Sequence, residues 1–369
     1  MTDYAVPSNL AAITSVDSVG VRTIAPRSVD EIVGLVRSLV DAGATALPMG
    51  SGSTFAGMHQ PNADVRLASF GYAGIVDYQP DDLTVVVRAG TTLGQLFDEL
   101  GAEGQTAVLP ELERERTIGG VVASGASGYR RLRYGPTRDR VLGVTLVTGY
   151  GQAVSGGGAL VKNVTGYDLP RLCTASHGTL GFIAEVCLKL WPVQPAFRTI
   201  EVENATEARA AAYKPLAVLE TPDRVVVMVE GSEASVLQVE RVLGGTSHIG
   251  LLWPDLPADE VGLSVRVPAS STDAAIAIVS DAGSAYFVAQ HGIGLIDVGF
   301  DSLQAVELQE LRTRVGEFGG LVVVSRWAGV DPMPDRWGVT PGDAGISDRL
   351  TALFDPEGVF RVGQLPGGL

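Results

Sequence analysis

Residues 156–185 read GGGALVKNVTGYDLPRLCTASHGTLGFIAE. The stretch leaves a glycine run and passes Lys162, Asn163, Gly166, Tyr167 and Asp168. It ends in His177-Gly178-Thr179-Leu180-Gly181 and an apolar strand. Glycine at such spacing marks backbone that turns sharply or that a ligand approaches closely, because no Cβ obstructs either. Working outward, two more loops share this character. One is Pro48-Met49-Gly50-Ser51-Gly52-Ser53-Thr54. The other is Thr117-Ile118-Gly119-Gly120, continued by Ser124-Gly125-Ala126-Ser127-Gly128-Tyr129. Taken singly, each reads as a turn in a β-rich fold. Taken together, in the first half of one chain, they point to an extended ligand held mainly by main chain.

Residues 48–58 and 117–129 contain no formally charged side chain. A phosphate bound there must be held by backbone N–H groups in a concave nest, with the hydroxyls of Ser51, Ser53, Thr54, Ser124 and Ser127 as further donors. This suits a pyrophosphate in an acidic protein, since aligned amides supply local positive potential without lysines. No G-x-x-x-x-G-K-[ST] motif occurs, and no helix is expected after Gly50-Ser51-Gly52, so neither common nucleotide loop fits.

A length of 369 residues predicts two domains with a large core. The 46 glycines lack a period, which excludes a collagen-like chain. A net charge of −15 argues against nucleic acid and anionic membrane surfaces as partners. Cys173 and Cys187 are the only cysteines; they are too few for a disulfide framework and fit a reducing, cytoplasmic setting. We expect no signal peptide and no transmembrane segment.

Ser28 and Glu31 predict a capping box, followed by a helix with Ile32, Val33, Leu35, Val36, Leu39 and Val40 on its apolar face, stopped by Gly43. Strands are expected at 44–48, 83–88 and 106–109, with a helix at 93–100. A hairpin is expected over 141–155, and a strand at 182–190 with one apolar face. From Arg198 glycine thins, and two groups of strands and helices follow, each like a split β-α-β pattern. They predict an antiparallel sheet with helices on one face, and a degenerate internal repeat. The expected fold class is α+β, divided as 1–195, a cap or substrate domain at 196–335, and a segment at 336–369 that returns to the first domain.

The order of motifs resembles the FAD-binding domain of the vanillyl-alcohol oxidase and p-cresol methylhydroxylase family. The matching pieces are Gly50 to Thr54, Thr117 to Gly120, Tyr134-Gly135-Pro136-Thr137-Arg138-Asp139, Gly166-Tyr167-Asp168-Leu169, and Gly178 to Ile183. Lys162 to Asp168 and Trp337-Gly338 are similar to the smaller flavin subunit of bacterial glycolate oxidases. The resemblance implies a two-subdomain FAD-binding fold in which Met49, Gly50, Ser51, Gly52, Ser53 and Thr54 meet the pyrophosphate. It places Thr117, Ile118, Gly119, Gly120, Ser124, Gly125, Ser127 and Gly128 along pyrophosphate, ribityl chain and flavin. Gly178, Gly181 and Ile183 would meet the cofactor through main chain, and Leu109 and Pro110 would lie near the ring. Ser53 stands where some relatives carry a histidine linked to FAD, which implies non-covalent FAD. Arg361-Val362-Gly363-Gln364 departs from the family's Asn-Pro-Gly-Arg tail.

The implied activity is oxidation of a small 2-hydroxy acid, in a complex with a larger flavin subunit and an iron–sulfur subunit. Any membrane association would come through those partners. Two alternatives stand beside it: a stand-alone FAD oxidase of a hydroxy acid or sugar, and an FAD-carrying subunit without its own turnover. The chemistry needs a base and a carboxylate clamp. His291, in Gln290-His291-Gly292, is the preferred base, against a plain turn histidine. Arg326, at the end of the 321–325 strand, is the candidate clamp. Arg114, Arg116, Arg130, Arg131, Arg133, Arg138 and Arg140 form a basic island, read either as a face paired with Glu111, Glu113, Glu115 and Asp139 or as an anion funnel. No H-x-H or H-x-x-x-H pair occurs, so no metal site is expected.

Overall fold

The computed structural model describes residues 14–16, 21–55, 58, 60–158, 168–328, 333–338, 344–362 and 365. His59, the motif residues from Lys162 to Tyr167, and Gly363-Gln364 lie outside the described residues. The chain is α+β.

A four-stranded sheet has the order Thr14–Val16, Arg22–Ile24, Val65–Ala68, Ala46–Met49, with the last two pairings parallel. Helix Val29–Ala42 makes the crossover between Arg22–Ile24 and Ala46–Met49. Ser28 accepts from the Glu31 N–H, and Gly43 ends the helix at φ +61. The capping box itself does not close: the Glu31 carboxylate reaches one residue further back, to the Arg27 N–H.

The second sheet is antiparallel, in the order Ile75–Gln79, Thr84–Arg88, Phe182–Lys189, Val141–Val147, Ala153–Gly157. Its central strand differs from the one-faced expectation. Ile183, Val186 and Leu188 pack into one core, and Phe182 and Ala184 into another beneath helix Val29–Ala42. A central strand covered on both sides has no solvent face to keep polar. The expected strand at 106–109 also shrinks to Gln105–Thr106, paired with Trp191–Pro192.

The Thr117–Gly120 loop is instead the start of helix Ile118–Ser124, with Thr117 capping the Gly120 N–H. Two glycines make this helix possible rather than breaking it. A Cβ on Gly119 would lie 2.7 Å from the Ala89 Cβ, so glycine lets the helix sit directly on the strand end.

An eight-stranded antiparallel sheet spans Ala196–Val202 to Leu321–Trp327. Two β-α-β-β-α-β groups build it as mirror-ordered halves, joined where Leu219 pairs with Gln290 and Glu220 with Ala289. Helical residues Ala205, Ala208, Val236 and Val239 pack under one half, and Ala275, Ile278, Leu308 and Leu311 under the other. The opposite face alternates strictly. Ile296, Phe300, Val322 and Val324 point to the helices, while Leu295, Asp297, Leu321 and Val323 line a cleft. The sheet also meets the first half directly, where Tyr129 packs on Leu219 and Met228.

Helix Ala344–Phe354 leads the tail back. The Gly149 N–H donates to the Phe354 carbonyl, the Ala46 N–H donates to the Val359 carbonyl, and Phe360 is fully buried. Asp355 accepts from the Val359 and Phe360 N–H groups and locks that turn.

Candidate active site

The glycine loops converge. Met49 to Thr54, Thr117, Gly119, Gly120, Ser124, Gly178, Gly181 and Ile183 line one hollow with about 680 Å³ of empty space. No carboxylate lines it. The N–H groups of Ser51, Gly52, Ser53 and Thr54 donate to no protein acceptor among the described residues. Unused donors in a hollow free of carboxylates are what a diphosphate requires. Gly50 closes the floor: a Cβ there would lie 2.0 Å from Thr117 Oγ1. The chain therefore fits a bound dinucleotide on its own geometry. Ile118 and Leu109, expected at the cofactor, are instead fully buried in the core and do not line the hollow. A helix hides its inward residue, and Leu109 is drawn under the second sheet.

Through Ser53, Thr54, Arg116, Ser124 and His177, this hollow opens into a larger cleft beneath the eight-stranded sheet. Pro110, Gly125, Ser127, Gly128 and Tyr129 form its near wall. Seven arginines against three carboxylates line it, so its local field opposes the acidic whole. Most of the basic island is paired: Arg114 with Asp98, Arg116 with Glu113, Arg130 with Glu111 and Arg138 with Asp139. Arg131, Arg266 and Arg336 have no carboxylate within ion-pair distance among the described residues. They lie close enough that Arg266 helps burial to lower the pKa of the other two.

Three buried polar atoms in this region have no protein partner: Tyr129 Oη, Gln290 Oε1 and Arg336 Nε. Orphaned buried polar atoms are costly unless a ligand or water serves them. Tyr129 stacks on Trp253 at 5.7 Å, and burial pushes its phenol up, so it stays a donor. Asp297 faces the same space. Burial raises its pKa to about 6, Glu113 adds to the rise, and Arg266 opposes it. His177, at φ +52, stands edge-on to Trp337 at 5.3 Å. Burial first, then Arg336 and Arg266, lower its pKa to about 4, so it is neutral in ordinary buffers.

Of the two candidates for chemistry, His291 faces away from the cleft, and Arg326 lines it with its guanidinium already committed. His291 does not line the cleft; it is 3% exposed and turned to the other side of its strand, with Nε2 2.6 Å from Glu220 and Nδ1 3.7 Å from Asp273. Successive strand residues face opposite ways, so Gln290 takes the cleft position and His291 cannot. These three groups lie within 4.8 Å of one another, near enough to share a cation, and no spacing motif reveals them because they come from distant elements. The two carboxylates address opposite ring nitrogens. Arg326 lines the cleft, but its Nη1 is held by the carbonyls of Ala258 and Asp259. Asp297, Arg266 and Arg336 were missed. The available signal was a lone charge in the otherwise apolar strand Leu295–Phe300.

Residues 22–167 match the family model of the FAD binding domain. The chain is 35% identical over 195 residues to glycolate oxidase subunit GlcE of Escherichia coli (strain K12), covering 50% of this chain and 56% of that one. It is 32% identical over 179 residues to glycolate oxidase subunit GlcD of Bacillus subtilis (strain 168), covering 48% and 38%. A D-2-hydroxyglutarate dehydrogenase of Xanthomonas citri pv. viticola is 33% identical over 172 residues, covering 46% and 36%. The chain thus spans about half or less of the length of these relatives. A solved alkyldihydroxyacetonephosphate synthase superposes with a TM-score of 0.62 over 92% of this chain and 75% of that one, at 15% identity, which is a likeness of fold.

Proposed function

We propose that this chain, whose residues 22–167 match the family model of the FAD binding domain, is an FAD-dependent oxidoreductase acting on a small 2-hydroxy acid. We further propose that it is the flavin subunit of a glycolate-oxidase-type complex. One observation carries the reading. A hollow of unused backbone donors opens straight into a cleft holding one raised carboxylate among three arginines that lack ion pairs.

When bound, FAD supplies the hydride acceptor, flavin N5. The chain does the rest. The N–H groups of Ser51 to Thr54 hold the diphosphate, and Ser53 carries no nucleophilic nitrogen for a covalent link, so the cofactor is held non-covalently. Arg131, Arg266 and Arg336 hold the substrate carboxylate, a task suited to the planar guanidinium. Asp297, deprotonated above pH about 6, takes the hydroxyl proton as the C–H hydride leaves, and a 2-keto acid results. The Tyr129 hydroxyl donates to a substrate oxygen, and Gln290 Oε1 stands ready to accept from a donor group of the bound molecule. Neutral His177 packs between the two halves of the site without adding charge.

Similarity to two glycolate oxidase subunits supports partners, namely a larger flavin subunit and an iron–sulfur subunit. Cys173 and Cys187 are both free and buried, and are too few for a cluster, so electrons leave through a partner or a soluble acceptor. Among the described residues no helix is long and apolar enough to cross a membrane.

Anaerobic mixing of the FAD-loaded chain with glycolate, D-lactate and D-2-hydroxyglutarate tests this. Bleaching of the flavin by one of them supports turnover in this chain. A bound flavin that none reduces moves the reading to an FAD-carrying relay subunit.

A further inference from the structure

A second hollow, with about 950 Å³ of empty space, lies on the far side of the Gln290–Gly294 turn. Leu132, Arg133, Tyr134, Trp191, Arg209, Lys214 and Pro215 line it, and no carboxylate does. Gln290, Ile293 and Gly294 line the cleft, while a Cβ on Gly292 would meet Leu132 and Arg209 at 2.9 and 3.0 Å.

The charges in this hollow are built in but not balanced. Arg133 is committed, with Nη1 donating to the Lys214 carbonyl at 2.9 Å and Nε 3.7 Å from Glu230. Arg209 and Lys214 have no carboxylate within ion-pair distance among the described residues. Behind them, the Trp191 ring carries two more cations, Arg140 at 5.5 Å and Lys189 at 5.0 Å. Arg140 is 1% exposed, and its Nε and Nη2 have no partner. Lys214 also sits at φ +47, a left-handed backbone state that non-glycine residues rarely adopt. The Arg133 bond to its carbonyl holds it there. The chain carries a net charge of −15, yet among the described residues Glu230, beside Arg133, is the one carboxylate paired with a cation lining this hollow.

We propose that this hollow binds a small, multiply charged oxyanion, phosphate- or carboxylate-bearing, at a site separate from the flavin cleft. Arg209 and Lys214 are its first contacts, Arg133 sets the Lys214 backbone, and Arg140 and Lys189 add positive potential through the Trp191 face.

Calorimetric titration of the FAD-loaded chain with inorganic phosphate, and separately with citrate, tests the site. Arg209 and Lys214 are exposed, so Arg209→Gln/Lys214→Gln leaves the fold intact, which an unchanged melting temperature verifies. Arg266→Gln serves as the control for anion binding in the cleft. The expected result is saturable binding of at least one anion in the parent and in Arg266→Gln, weakened about tenfold or more in the double variant. No binding in the parent at millimolar anion overturns the proposal. Binding lost only in Arg266→Gln, or unchanged in the double variant, also overturns it.

Discussion

In the proposed function, Asp297 is the residue on which the chemistry turns. Its neighbours Ile296 and Val298 are buried apolar side chains, and its own carboxyl is carried by strand alternation into the cleft. A base acts only when deprotonated, so with a pKa near 6 the rate of flavin reduction rises with pH through about 6 and then levels off. Asp297→Asn slows reduction by about 100-fold or more, removes that pH step and keeps FAD content, read by anaerobic stopped-flow and absorbance. The same shift has a stability consequence. The folded state holds this proton more tightly than the unfolded chain, so stability is lost as pH rises from about 4 through about 6. Asp297→Asn therefore melts higher than the parent at pH about 8, and the difference vanishes at pH about 4. The sequence made Met49 to Thr54 legible as lining because loop glycines and hydroxyls carry their own signal. It pointed to His291, which does not line the cleft, because histidine chemistry is visible in a string of letters and the facing of a strand residue depends on where the strand begins.

Helix Ile118–Ser124 shows the same limit at the scale of an element. Glycines in a window normally count against a helix. Here the contact with Ala89 rewards the missing Cβ, and tertiary packing overrides propensity. Gly119→Ala should cost about 1–3 kcal/mol by forcing the helix off the strand end, and weaken FAD retention with it. Gly34, inside helix Val29–Ala42, has nothing within 4 Å of an added Cβ. Gly34→Ala should stabilise by about 0.5–1 kcal/mol. Thermal melts of the pair check both signs, and a stabilising Gly119→Ala would refute the packing argument. The helix Val29–Ala42 and most strands beyond Arg198 were legible because their apolar periods are long and unbroken. The short strand Thr246–Ile249 was not, since its polar, partly exposed edge has no apolar period to read.

Over the whole molecule the charge is divided. The chain carries −15, while the cleft lining carries an excess of arginine. In the proposed function such a site gathers an anionic substrate against the global field, and salt screens the attraction within about 8–10 Å. Raising ionic strength should therefore raise KM for the hydroxy acid with little change in kcat. Arg266→Gln should raise KM about tenfold and flatten that salt dependence, measured by steady-state kinetics at two salt concentrations. A salt-independent KM would remove the arginines from substrate capture. The change of texture after Pro195 coincides with the first strand of the eight-stranded sheet, Ala196–Val202. The mirror ordering of the cap's two halves, and the way its sheet roofs the glycine loops, depend on contacts between residues far apart in the chain.

The central claim is that unspent amides around Ser51 to Thr54 grip a diphosphate. Titrating the apoprotein with FAD and, in parallel, with riboflavin, which lacks that group, tests it most directly. The account predicts a yellow complex with FAD that acid releases intact, and binding of riboflavin weaker by about 100-fold or more. Equal binding of the two, or no binding of FAD at all, would contradict it.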